Sequence, residues 1–196
     1  MNFLAHAYLS FNQPEILAGN MISDFVKGKA QYNYSPIIQA GIRLHRSIDA
    51  FTDTHPATKK AQTVFQPHYR LYSGPLVDVL YDHYLAKDGA IFPADGLERF
   101  SESVYLQLEA QSAQLPPRFL QVFTYMKEQN WLLNYRTLEG SERSLQGLVR
   151  RCAYTNDAAT AISLFRENYE FLQACYNSFI QDVKNHAQEE LVYLLL

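Results

Sequence analysis

The chain has 196 residues, 17 Lys and Arg against 20 Asp and Glu, and a net charge of −3. That length supports a domain with a buried core, and the charge balance excludes attachment to nucleic acid through a global basic field. No stretch approaches the roughly 20 apolar residues of a membrane span, and no basic segment leads into a long apolar run at the start, so the reading is a cytoplasmic protein without a signal peptide.

Helical periodicity runs through the chain, with no alternating β-branched run and no Asn-Gly hairpin signal. Residues 2–10 read as a short helix. Pro14 suits a first helical turn, and Ile16, Leu17, Met21, Ile22 and Phe25 follow at helical spacing up to Lys27 and Gly28. Ser35 as cap and Pro36 at the first position open a third helix that runs to about Asp53. Thr54, His55 and Pro56 break it and start a fourth, through residue 65. Further helices are expected over 71–87, 97–111, 118–129 and 141–152, with a short apolar piece at 131–135. Asn156 and Asp157 cap one last long helix over 158–194, breakable near His186. The expectation is a single all-α domain over 1–196, with 1–90 carrying the chemistry and 91–196 supporting it. Cys152 and Cys175 lack zinc-motif spacing and read as reduced thiols.

Ten residues from Leu44 to Asp53 carry the densest signal. A helix turns once per about 3.6 residues, so His45, Asp49 and Asp53 share a stripe, with apolar Leu44, Ile48 and Phe51 beside it. An imidazole and carboxylates at the edge of a buried face are costly unless compensated, and a divalent cation is the simplest compensation. Asp78, Asp82 and His83 repeat the pattern, and His6 and Asp24 sit in two further apolar segments. His45, His6, Asp24, Asp49 and Asp82 are read as metal ligands. Asp49 has a second reading, as the group that holds the imidazole tautomer. Asp24, His45 and His83 are the candidate catalytic groups. Asp78 stands between ligand and supporting partner, and Asp53 reads as a helix-end cap. Mixed imidazole and carboxylate donors suit Mn, Fe, Zn or Mg, and the lack of Cys argues against structural zinc. Arg43, Arg46 and Arg70 are read as a phosphate-handling ring. The remaining basic residues, among them Lys59, Lys60, Arg143, Arg150 and Arg151, either face solvent or receive an acidic protein. Nucleotide-cradling glycine motifs, a Gly-x-Ser-x-Gly elbow and His-Glu-x-x-His are absent.

Four ordered motifs carry a resemblance. They are Phe3-Leu4-Ala5-His6, Gly19-Asn20 with Ser23-Asp24-Phe25-Val26-Lys27-Gly28, Gly41-Ile42-Arg43-Leu44-His45-Arg46 through Asp53 with His55-Pro56, and Tyr72-Ser73-Gly74 through Asp78-Val79 and Asp82-His83. Together they resemble the acyl carrier protein phosphodiesterase family, also called acyl carrier protein hydrolase. The resemblance implies an all-helical fold akin to HD-domain phosphohydrolases with the metal motif rearranged. It implies a divalent ion, typically manganese, and hydrolysis of the phosphodiester that links 4′-phosphopantetheine to a serine of holo-acyl carrier protein. His6, Asp24, His45, Asp49, Asp82 and His83 fall within the motif positions, which do not separate ligands from supporting groups. Leu71, in a slot expected to be basic, and Pro75 depart from the pattern. Two other readings stand beside this one: a metal-dependent nucleotide phosphohydrolase, and a non-enzymatic helical binding protein whose His and Asp form a buried polar network.

Overall fold

Ser35 accepts a hydrogen bond from the Ile38 amide, Pro36 occupies the first turn, and the helix they start runs without a break over Pro36–Thr54. This is α3, the longest helix, and it is the spine of the site. The computed structural model describes residues 1–152 and 157–196, and among them every regular element is helical. Before α3 come α1 (Phe3–Tyr8), α2 (Pro14–Ile22) and two 3₁₀ turns, Ser23–Phe25 and Gly28–Asn33. After it come α4 (Pro56–Gln62), α5 (Gln66–Tyr69), α6 (Ser73–Lys87), α7 (Gly96–Ala110), α8 (Pro117–Glu128) and α9 (Trp131–Asn134). The chain closes with α10 (Leu138–Val149), α11 (Ala158–Glu167), α12 (Tyr169–Asn177) and α13 (Ile180–Leu195). No helix among the described residues is long and apolar enough to cross a membrane.

The tightest contact is between α2 and α3. A Cβ built on Gly19 would lie 2.1 Å from the Ile38 carbonyl oxygen, and one on Gly41 would lie 2.4 Å from that of Ile16. Only glycine at both positions lets the two backbones touch. On the other side, α6 packs against α1 and α10, and α13 packs along α3. Apolar residues from both halves of the chain, from Leu4 to Leu191, form one continuous core.

Several elements differ from expectation. The last long helix is three helices, and its breaks fall at Asn168 and Ser178 rather than at His186, which lies inside α13. The Asn168 and Ser178 side chains donate back to the Leu164 and Ala174 carbonyls, an alternative to continuing the helical ladder. Asp157 caps α11 by accepting from the Thr160 amide, whereas the expected partner Asn156 lies outside the described residues. Helix α10 starts three residues early because Thr137 accepts from the Gly140 amide. The cap after α3 is His55, whose ring nitrogen accepts from the Ala57 amide; Asp53, expected in that role, is exposed.

Candidate metal centre

The site is assembled from three short distances. His45 and Asp49 stand one turn apart on α3, with His45 Nε2 3.2 Å from an Asp49 oxygen. His6, from α1, places its Nε2 3.1 Å from the other Asp49 oxygen. The two imidazoles lie nearly parallel, with centroids 3.8 Å apart and planes 13° apart. Asp24, in the 3₁₀ turn after α2, brings an oxygen to 3.5 Å from His45 Nε2.

Asn20 connects the two rings. Its carbonyl oxygen accepts from His45 Nδ1 at 2.7 Å, which turns Nε2 toward the carboxylates. Its side-chain amide donates to the His6 carbonyl at 2.9 Å and to Ser10 at 3.0 Å, which fixes the backbone that carries His6. Nε2 of both histidines is buried and makes no aligned hydrogen bond. One ligand atom each from His6, His45 and Asp49 lies within 4.8 Å of the others. Orphaned imidazole nitrogens facing a shared carboxylate are a donor set for a borderline divalent ion.

The carboxylates and burial pull the two rings in opposite directions. Burial acts to lower the His45 pKa, but Asp24 and Asp49 override it and raise it to about 9. Burial, with His45 beside it, lowers His6 to about 4 despite Asp49. Burial would raise Asp49, yet both imidazoles and the terminal ammonium hold it far below the usual carboxylate range. Asp49 is therefore an anion at any working pH. Asp78 reaches the site through the Met1 ammonium, 3.0 Å away, which also lies 3.3 Å from Asp49.

Two of the expected metal-binding and catalytic residues are placed elsewhere. Asp82 is wholly buried, and its oxygens accept from the Leu4 and Ala5 amides at 2.7 and 3.2 Å. It caps the N-terminus of α1 from another helix and so positions His6. His83 turns to the far side of α6, as adjacent helical residues must diverge by about 100°. Its Nδ1 donates to the Tyr135 carbonyl at 2.7 Å, and its Nε2 accepts from the Tyr169 hydroxyl, which in turn accepts from Lys87. Neither nitrogen is free for a ligand or a substrate proton. Burial lowers the His83 pKa to about 4, so the folded chain favours the neutral ring and stability falls as pH drops from about 6.5. We expect roughly 2–3 kcal/mol of this loss by pH 4.5. Urea midpoints at pH 7 and pH 4.5 should show a shallower fall in His83→Gln than in the parent; equal slopes would contradict this role.

The carboxylates of the cluster open onto a cleft of ≈ 840 Å³. Asp24, Asp49 and Asp78 line it together with Phe3, Phe25 and Trp131, and α10 contributes Arg143 and Ser144. The expected phosphate ring is not part of this lining. Arg43 is exposed on α3, and Arg70 is exposed at a left-handed turn with φ 47°. Arg46 donates to Gln31 and to the Val26 carbonyl, tying the segment after α2 onto α3. The cleft arginines are Arg143 and Arg151, which no early motif marks.

The chain matches the family model described as acyl carrier protein phosphodiesterase over residues 1–183. It belongs to the acyl carrier protein phosphodiesterase family. Relatives of that name include a Yersinia pestis protein, 33% identical over 98% of this chain and 100% of its own length. A Photorhabdus laumondii relative is 30% identical over 100% of this chain and 99% of its own length. One from Pectobacterium atrosepticum is 40% identical over 70% of this chain and 72% of its own length. No solved structure matches the chain. Family membership extends past the four early motifs to α10, which supplies the basic side of the cleft.

Proposed function

We propose that this protein is a metal-dependent phosphodiesterase that hydrolyses holo-acyl carrier protein to the apo form and free 4′-phosphopantetheine. The observation that carries this reading is the convergence of two buried imidazole nitrogens on Asp49, a carboxylate that lines an open cleft. The relatives' common name supports the substrate. His6, His45 and Asp49 are the proposed ligands, with Asp24 at the edge, and manganese is the first candidate ahead of Mg²⁺, Fe²⁺ and Zn²⁺. When bound, such an ion supplies Lewis acidity to the phosphoryl oxygens and lowers the pKa of water. A His–Asp pair on one helix supports placing the fold with the HD-like phosphohydrolases, and two free thiols support the cytoplasm as its location.

The chain's own residues divide the remaining work. Asn20 and Asp82 orient His45 and His6 before substrate arrives. Asp24, whose side chain is exposed and lines the cleft beside His45, is placed to take a proton from the attacking water. Arg43 and Arg70, exposed outside the cleft, suit contact with an acidic carrier. Raising NaCl from about 50 to about 500 mM is then expected to raise KM for the carrier severalfold and to leave kcat nearly unchanged. A salt-independent KM would remove the charged docking face.

The test is purified protein with holo-acyl carrier protein and Mn²⁺, with release of 4′-phosphopantetheine followed by mass spectrometry. Faster turnover of nucleotide phosphodiesters than of carrier would favour the nucleotide reading. No turnover of either substrate with any divalent ion would favour a binding protein.

A further inference from the structure

The cleft is lined by groups of both signs: Asp24, Asp49 and Asp78 come from the turn after α2, α3 and α6, and Arg143 and Arg151 come from α10 and the turn that follows it. No ion pair joins these arginines to the three carboxylates among the described residues. Arg143 pairs only loosely with Glu139, one turn back on its own helix at 3.5 Å, with both side chains largely exposed. Arg151 makes no ion pair among the described residues. Both guanidinium groups thus keep donors for something that enters the cleft.

Guanidinium forks match the paired oxygens of a phosphate group better than an ammonium does. The apolar surface beside them, Trp131 and Leu148, suits an uncharged chain rather than a second charge. We propose that Arg143 and Arg151 form the phosphate clamp of this cleft, holding the phosphoryl group of a ligand whose uncharged chain lies along Trp131 and Leu148. The clamp binds the phosphoryl oxygens and retains the phosphomonoester product after the serine has left as its hydroxyl. This rests on the proposed phosphodiesterase reading for the identity of the chain, but its test does not require turnover.

Trp131 is the single tryptophan and lines the cleft, so its emission reports occupancy directly. The experiment titrates the full chain, in Mn²⁺ buffer, with 4′-phosphopantetheine and separately with pantetheine, which lacks the phosphate. The expected result is saturable quenching by the phosphorylated compound and at least about 10-fold weaker binding of pantetheine. Arg143→Ala and Arg151→Ala are each expected to weaken 4′-phosphopantetheine binding about 10-fold, and the double variant more, with circular dichroism unchanged because both side chains are exposed. Arg151→Lys should restore only part of the loss. A double variant that binds 4′-phosphopantetheine within threefold of the parent overturns the clamp. So does a rise in KM for holo-carrier with free-product affinity unchanged, which would assign both arginines to the carrier's acidic surface. Binding as expected without hydrolysis of carrier would keep the clamp and remove the phosphodiesterase reading.

Discussion

Asp49→Asn is expected to reduce kcat/KM on holo-acyl carrier protein by at least about 10³-fold, or about 4 kcal/mol of transition-state stabilisation. The substitution keeps the size and shape of the side chain and removes only its charge. That charge faces His6, His45 and the terminal ammonium within 3.3 Å. Without it, no anion is shared by the two orphaned Nε2 atoms, and an amide is a poor ligand for a divalent ion. Asp53→Asn, one turn further along α3, is the matched control. Its side chain is exposed, and activity should stay within about twofold. Steady-state kinetics on both variants decide the matter. An Asp49→Asn enzyme that retains a tenth of parental activity would remove Asp49 from the centre.

Gly41→Ala has the second largest expected effect, and it acts from outside the site. The new Cβ meets the Ile16 carbonyl at 2.4 Å and the Gly19 Cα at 2.9 Å, both backbone atoms, so only separation of α2 from α3 relieves the clash. Overpacking of this kind costs about 3 kcal/mol. The same separation pulls the Asn20 carbonyl away from His45 Nδ1, now 2.7 Å apart, and frees the imidazole to rotate. We therefore expect a lower urea midpoint together with a loss of kcat of at least about 10-fold in the protein that remains folded. Gly147→Ala, where an added Cβ meets nothing within 4 Å, should instead stabilise α10 by about 0.5 kcal/mol. A Gly41→Ala protein with parental stability would mean that the two helices do not touch as described.

The legible parts of the site are those that one helix encodes. His45 and Asp49 stand four residues apart on an amphipathic helix with an explicit Ser-Pro start, so spacing alone puts them on one face. His6 and Asp24 were legible only as polar groups in apolar surroundings. Their convergence on His45 depends on the Gly19–Gly41 contact, which links residues far apart in sequence. Asp82 and His83 show the limit of spacing. Both are buried and polar, but one carboxylate caps α1 across the core and one imidazole joins Tyr135 and Tyr169, and neither partner is near in the chain. Asn20 acts on His45 through a backbone carbonyl, which no residue type encodes. Arg43, Arg46 and Arg70 have the chemistry for phosphate but not the place: the cleft draws Arg143 and Arg151 from α10 and the turn after it. The three-helix C-terminus was read as one because a continuous helical period hides side chains that bond back onto their own helix.

The central claim is that His6, His45 and Asp49 hold one divalent ion between them, and Mn²⁺ titration followed by electron paramagnetic resonance of the free ion tests it most directly. The account predicts a tight site in the parent chain that weakens by at least about 10-fold in His45→Ala and again in His6→Ala. Equal Mn²⁺ affinity in the parent and in His45→Ala would contradict it.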